Sequence, residues 1–539
     1  MNTISLDGQS LTIEKVYAVA CNGARVEDLD DATKKKMISS WKWVERTVSE
    51  DHKTMYGINT GFGPLASVRI KASEAAKLSR NVILACLVGV GEGLPIETVR
   101  AMMLVRANTL CRGYSGVRPI IVQTLIDMLN RGVTPVIPSK GSLGASGDLA
   151  PLAHMAVVMT CDTEGDREGY SGEAWYEGEL LSGAEAMQRA GIERVAPGAK
   201  EGLALCNGTT FMVSSAALAI HRAEALIANA ELSAAFSLEA LTGLSAAFYP
   251  ELQEVNQLQG QEETAANILN YVAGSRLVDS DTERVQDAYA LRCTPQVLGP
   301  IRHTISFIRS SVEPLLNGAT DNPLIFHDPA IGDPYFSVSG GNFHGEGIAM
   351  WLDFLSIAIA EIGNLAERRI FRMVTPELSN GLPSMLVTNP GLDTGLMMPQ
   401  YTAAALVSDN KTLAHPDSVD SIPSSANQED HVSMGANSAR HALEIVENVT
   451  HIIAIELMTA AQAIDLRTDG ANRLGKETAK VYAIVRNRVE MVKEDRELHL
   501  DIEALADLVR EGYILCCGQR QAGLGQKKCS SDLPTKKKA

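Results

Sequence analysis

The 539 residues are 45% hydrophobic and 21% charged, which places the chain among folded globular proteins and away from disordered ones. A formal net charge of −17 argues against a nucleic-acid or anionic-membrane surface, and the basic cluster Lys536, Lys537 and Lys538 at the end reads as a solvated terminus. Nine cysteines, an odd number without a Cys-x-x-Cys pair, argue against a disulfide framework or structural zinc and fit reduced thiols, so a cytoplasmic protein is expected.

The first residues are short and polar, without the charged and apolar regions of a signal peptide. Apolar residues on both sides of Asp7-Gly8 predict a small β-hairpin across Ile4–Ile13. Glycine and proline then concentrate at 57–64, 132–151, 163–172 and 379–400, the loops in which chemistry is to be sought; the acidic one around Thr163–Glu173 is expected to be exposed and flexible. Three proline-free stretches, Val213–Leu241, His344–Val374 and Ser438–Leu466, are rich in Ala, Leu and Ile on most faces. At about 1.5 Å per residue each predicts a helix of about 45 Å that must be buried against several neighbours.

The expected fold is mainly α, a central bundle of long helices with a small N-terminal mixed α/β region. Its divisions are expected at 1–200, 201–517 and a disordered tail over 518–539. The longest apolar run, Ile348–Ile362, is broken by Asp353 and Glu361 and is too short to span a bilayer, so no membrane segment is expected. Ala-rich helices also pack closely on copies of themselves, which favours an oligomer; a monomeric bundle is the plainer alternative.

Gly141-Ser-Leu-Gly-Ala-Ser-Gly-Asp-Leu-Ala-Pro-Leu152 is the most informative segment. Its glycines let the backbone fold back on itself. An ordinary tight turn is one reading; a phosphate cradle is another, but the Lys and Ser/Thr of a P-loop are missing. In a third reading the Gly147 amide nitrogen attacks the Ala145 carbonyl carbon, and Ser146 also loses water. The segment resembles the signature of the aromatic amino acid ammonia-lyases and aminomutases, in which Ala-Ser-Gly cyclises to 4-methylidene-imidazol-5-one. The resemblance runs from the first residues to about position 510. It implies the helical, fumarase-like fold of that family as a homotetramer with sites assembled from several subunits, an amino acid as small-molecule substrate, and an electrophile made from Ala145, Ser146 and Gly147 with no external cofactor or metal.

Further segments carry the same resemblance. Tyr56-Gly-Ile-Asn-Thr-Gly-Phe-Gly63 is similar to the family's tyrosine loop, which implies Tyr56 as general base for the β-proton; neighbouring cations would be needed to bring a phenol into range. On this reading residues 1–200 carry the base and the electrophile loop, and 201–517 carry substrate-binding residues and the oligomer core. Asn207, in Leu203-Ala-Leu-Cys-Asn-Gly-Thr209, is implied to orient the substrate and touch the electrophile, although Asn-Gly alone reads as a turn. Gln286, Tyr289 and Arg292 recur three apart and would share one face of a helical turn. An exposed, salt-bridging arginine is the usual explanation there; the resemblance instead gives Tyr289 a catalytic part, Gln286 a substrate contact, and Arg292 the grip on the substrate carboxylate. Gly341-Asn-Phe-His-Gly-Glu346 implies Phe343 in the pocket, with His344 a core or capping residue. Asp321-Asn-Pro323 is similar to a structural turn of the family.

Two segments bear on the substrate. Leu413–Gly435 is closely similar to histidine ammonia-lyases, and its Glu429 can accept a hydrogen bond from an imidazole, where the phenylalanine and tyrosine enzymes resemble Asn-Gln-Asp. A paired acid in a polar loop is the plainer account. Against it, histidine ammonia-lyases usually carry Ser-His where this chain has Ala85-Cys86, so Cys86 replaces an imidazole as a small pocket group or packs as buried cysteines do. The longer segment outweighs the dipeptide, and elimination of ammonia from L-histidine to trans-urocanate is the expected reaction. The same chemistry on phenylalanine, tyrosine or an unusual imidazole amino acid, a 2,3-aminomutase, and a non-enzymatic protein on the same scaffold are the alternatives.

Overall fold

The three long proline-free stretches are helices in the computed structural model, which describes residues 3–50, 54–162, 170–330 and 334–512. The helices that position the site are α1 (Ala75–Ala85), α2 (Ile96–Cys111), α3 (Ala150–Met159), α4 (Glu201–Cys206), α5 (Thr210–Ala240), α6 (Glu346–Val374) and α7 (Gly435–Leu466). The ends of α5, α6 and α7 fall within one turn of those predicted. By length and composition each of these three could cross a membrane, α6 included, so Ile348–Ile362 is part of a longer apolar helix than the run alone suggests. Inside the protein 78%, 61% and 83% of their most apolar windows are buried, which gives their apolar faces protein neighbours. On α6, Met350, Phe354 and Ile357 stay exposed at i, i+4 and i+7.

Strands occur among the described residues only as short pairs and one three-stranded sheet. The N-terminal hairpin is not formed. Thr3–Ile4 pairs in parallel with Arg25–Val26. Asp7-Gly8 does turn the chain, with the Asp7 carboxylate accepting from the amides of Gln9 at 2.7 Å and Ser10 at 2.8 Å. Thr12 then caps the helix Ile13–Ala20 by accepting from the Lys15 amide at 3.3 Å, so Leu11 and Ile13 enter a helix start where a return strand was predicted.

The chain folds as two compact units, each assembled from three stretches: 1–221, 307–355 and 415–443 in the first, and 222–306, 356–414 and 444 onward in the second. In the first, α4 is the keystone. Gly202 lies so close to α1 that a Cβ there would fall 1.8 Å from the Ser79 carbonyl oxygen, and the Gly202 amide donates to Ser79 Oγ at 2.6 Å. Arg118 pairs with the buried Glu201 at 2.6 Å, and Lys200 pairs with Asp321 at 2.7 Å with both side chains fully buried. Burial pushes the Lys200 ammonium down from its usual range, and Asp321 opposes that. Asp321 thus anchors α4 through a buried charge, the structural part expected of its turn.

In the second unit, Glu231 accepts from Arg302, Thr264 and Asn267, and Arg369 pairs with Glu456. Partners on every side keep such buried charges from being a net liability. The glycine- and proline-rich stretch 379–400 belongs here, and its Thr394 and Gly395 help line a cavity of about 610 Å³ with Met398, Leu406, His451 and Ile502. The expected loop over 163–172 and tail over 518–539 lie wholly or largely outside the described residues.

Candidate active site

The loop from Gly141 to Leu149 folds tightly because glycine meets glycine. Gly147, at φ +73°, lies against Gly208, and a Cβ on Gly147 would sit 2.2 Å from the Gly208 carbonyl oxygen. Gly208 is equally confined: a Cβ there would be 2.6 Å from Thr320 Oγ1 and 2.9 Å from Arg106 Nη1. The Asp148 amide donates to the Gly208 carbonyl at 2.8 Å, and its carboxylate accepts from the Phe211 amide at 2.5 Å at the start of α5. Burial pushes Asp148 up to about 7, against the opposing pull of the Phe211 amide and of Arg106.

Asn207 caps the C-terminal end of α4 and points its amide at the loop, Nδ2 donating to the Ser146 carbonyl oxygen at 2.6 Å. Its own carbonyl accepts from the fully buried Arg106 at 2.6 Å, and the same guanidinium nitrogen reaches the Ala204 carbonyl. Arg106, from the middle of α2, therefore holds the last carbonyls of α4 and fixes Asn207.

The other side of Ser146 is more open. Ser146 Oγ donates to Glu429 Oε1 at 2.6 Å, while Glu429 Oε2 accepts from the hydroxyls of Ser424 and Ser425, each at 3.0 Å. Ser425, Ala426 and Asn427 all have positive φ, and this sharp turn brings both serines back onto the carboxylate. Tyr56 Oη accepts from the Gly63 amide at 3.3 Å, and a Cβ on Gly63 would lie 4.0 Å from Ser425, so the tyrosine loop abuts the Glu429 loop. Gly57 packs against Leu203 of α4 and Pro323. Cys86, just past the end of α1, has its thiol pushed up to about 11 by burial and by the nearby Glu429.

Phe343 is half-buried on the segment leading into α6, where the His344 ring stacks on His431 with centroids 5.4 Å apart. The ligand atoms of His344, Glu346 and His431 come within 4.8 Å of one another, a spacing open to a metal. The hydrogen bonds oppose it. His344 Nδ1 accepts the Glu346 amide at 3.3 Å, which puts the ring proton on Nε2, facing the His431 carbonyl at 3.2 Å, and leaves His344 no free lone pair. His344 is the capping residue expected.

Gln286, Tyr289 and Arg292 lie in the second unit. Only Tyr289–Arg292 is helical, so Gln286 does not share a helical face with the other two. The reason is Asp287, whose carboxylate accepts from the Leu244 amide at 2.7 Å and draws the chain out of helical geometry. The Arg292 guanidinium lies over the Tyr289 ring, 4.7 Å from its centroid, with Nε buried and without a hydrogen-bond partner. It has no carboxylate partner among the described residues, unlike an ordinary salt-bridging arginine.

A family model for aromatic amino acid lyases matches residues 11–487. The chain belongs to the aromatic amino acid lyase family. It is 50% identical over 515 residues to a histidine ammonia-lyase of Caldanaerobacter subterraneus subsp. tengcongensis, covering 95% of this chain and 98% of the relative, and 46% identical to one of Treponema denticola, covering 94% and 96%. Among solved structures, histidine ammonia-lyase from Trypanosoma cruzi superposes with a TM-score of 0.85 at 38% identity, covering 96% and 95% of the two chains. Tyrosine aminomutase from Streptomyces globisporus gives 0.87 at 36% identity, covering 96% and 98%. The helical fold expected from the sequence is that of these relatives.

As seen in this lyase, four residues around Ser146 escape a reading of the sequence. Arg106 looks like one more polar residue of a helix, and only its position amid a buried apolar run hints otherwise. Gly208 reads as half of a turn. Ser424 and Ser425 reach Glu429 only through positive φ angles that no local pattern announces.

Proposed function

We propose that this lyase eliminates ammonia from L-histidine to give trans-urocanate, the first step of histidine degradation. The observation that carries the reading is the Glu429 carboxylate beside Ser146, one oxygen held by two serines and the other directed at the loop, in a chain half identical to proteins named histidine ammonia-lyase. A carboxylate so oriented can receive an imidazole N–H.

The residues fit a 4-methylidene-imidazol-5-one formed from Ala145, Ser146 and Gly147. Gly147 sits where no side chain can, and Asn207 already binds the Ser146 carbonyl, which would become an oxygen of the ring. When formed, the group supplies an electrophilic carbon that converts the substrate amine into a better leaving group. Around it Asn207 holds the Ser146 carbonyl, and Arg106 holds Asn207. Arg292 takes the substrate carboxylate with its planar fork, aided by Gln286, while the Tyr289 ring supports that guanidinium. Tyr56 removes the β-proton, Glu429 steadies the imidazole, and Phe343 and Cys86 wall the pocket. We place the assembly as a homotetramer in the cytosol: the exposed Met350, Phe354 and Ile357 stripe of α6 suits a second copy of this chain, and the six described cysteines are all free thiols.

The test is the near-ultraviolet appearance of product from purified protein given L-histidine, with L-phenylalanine, L-tyrosine and Ser146→Ala protein in parallel. Urocanate from histidine alone, and only with Ser146 intact, is the expected result; inactivity on histidine would overturn it. Cys86, where histidine ammonia-lyases usually carry histidine, favours a second reading: the same elimination on another amino acid, with product formed from a different substrate. A β-amino acid product would instead mark an aminomutase.

A further inference from the structure

Glu429 meets Ser146 before any substrate can. In the uncyclised chain its Oε1 accepts the Ser146 hydroxyl at 2.6 Å, and its Oε2 is engaged by Ser424 and Ser425 at 3.0 Å each. Two hydroxyl donors on one oxygen fix the carboxylate plane, so the second oxygen cannot swing away without breaking both. The turn over 425–427 builds this clamp with three consecutive non-glycine residues at positive φ, a conformation that is costly unless the surroundings hold it. A carboxylate needed only to meet an occasional substrate does not require its free oxygen aimed at Ser146 Oγ.

We infer that Glu429 serves the maturation of the loop as well as the reaction: its Oε1 holds Ser146 Oγ for departure as water, and the same oxygen, vacated by that departure, becomes the imidazole acceptor. This rests on the reading that residues 145–147 cyclise. Gly147 nitrogen bonds to the Ala145 carbonyl carbon, and the carbonyl oxygen leaves as one water with the protons of the Gly147 and Ser146 amides. Ser146 then gives up its Cα proton to solvent, the Cα–Cβ double bond forms, and the Cβ–Oγ bond breaks with Oγ leaving as the second water on a proton from solvent. Nothing is oxidised or reduced. Glu429 acts in the second dehydration by selecting one of the three staggered Ser146 rotamers and by hydrogen bonding to the departing oxygen.

The assignment separates Glu429 from the groups on the other side of the loop. Asn207 binds the Ser146 carbonyl and Asp148 the Phe211 amide, atoms that stay in the protein; Glu429 touches the one side-chain atom that leaves.

The test follows the intact mass of freshly synthesised protein over time, with near-ultraviolet absorbance as a second readout, for wild type, Glu429→Ala, Glu429→Gln and the double variant Ser424→Ala/Ser425→Ala. Wild type is expected to become lighter by two waters. Glu429→Ala is expected to lose the second water about tenfold more slowly, the worth of one hydrogen bond and a fixed rotamer. Glu429→Gln, which keeps a hydrogen-bonding group of the same length, is expected to restore the rate while leaving turnover of histidine impaired, and the double serine variant to fall between. Because Glu429 lies in a half-exposed loop, these variants are expected to keep the wild-type thermal transition, which serves as the control on folding. Loss of both waters from Glu429→Ala at the wild-type rate would overturn the inference and leave the cyclisation standing. A wild-type chain that keeps its full mass would overturn both.

Discussion

Ser146 has two very different sides. On one, Asn207, Asp148, Gly147, Gly208 and Arg106 are buried, carry charge in a dry setting, and touch one another through backbone as much as side chain. On the other, Glu429, Ser424, Ser425, Tyr56 and Cys86 are partly open and belong to loops, with the serine hydroxyls on the Glu429 carboxylate and the Cys86 thiol within its field. The first side leaves no room at its glycines, because a Cβ on Gly147 or Gly208 would strike a neighbour. The second can change residue by residue without disturbing the first. One reactive loop can thus be kept while the residues that face it are altered: the dry side confines the loop and the open side faces what reaches it.

The largest effect should come from breaking the dry side at its tightest point. Gly147→Ala puts a methyl 2.2 Å from the Gly208 carbonyl oxygen at a backbone φ of +73°, and the obstacle is backbone, which cannot rotate away. It should cost on the order of 3 kcal/mol or more of stability and abolish both the loss of two waters and activity. Thermal unfolding and intact mass check this; a variant that unfolds like wild type and matures normally would mean that the loop is not confined as described.

An effect confined to a range of pH should come from the buried acid of the same side. Asp148 keeps its proton in the folded protein up to about 7, whereas in the unfolded chain it ionises near its ordinary value of 3.8. Below the lower value both states are protonated and there is no penalty; as pH rises between the two, only the unfolded state releases the proton, so stability is lost. The loss is complete above about 7 and amounts to about 4 kcal/mol. Asp148→Asn keeps an acceptor for the Phe211 amide and removes this slope. Unfolding measured from pH 4 to 8 should therefore show the variant gaining on wild type as pH rises, and parallel curves would exclude Asp148 as the source.

How far the two sides can be read from sequence differs in the same way. The long helices are legible because uninterrupted Ala, Leu and Ile have one stable outcome, and Tyr56, Ser146, Asn207 and Glu429 stand in segments long enough to carry a family resemblance. What is hidden depends on contacts across the chain. Arg106 and Asn207 are 101 positions apart, and Ser146 and Glu429 are 283 apart. The two misread elements failed for a local reason that competes with pattern: Thr12 caps a helix where alternation suggested a strand, and Asp287 binds a distant amide where the three-residue spacing suggested a helical face.

The smallest effect should come from the open side at Cys86. With its thiol pushed up to about 11 by burial and Glu429, Cys86 is protonated at neutral pH, packs as a small apolar group, and should react slowly with alkylating reagents at pH 7. Cys86→Ser changes little in size, so kcat/KM for L-histidine should move by no more than about threefold. Cys86→His adds a ring nitrogen that can hydrogen-bond the substrate imidazole and should raise kcat/KM by up to about tenfold, the worth of one such bond, with the loss of the two maturation waters unchanged. Steady-state kinetics on both variants, beside their intact masses, decide the matter. A change in maturation would tie Cys86 to the forming of the loop, as inferred for Glu429, whereas a gain on histidine with unaltered mass would place it among the residues that set which amino acid is admitted.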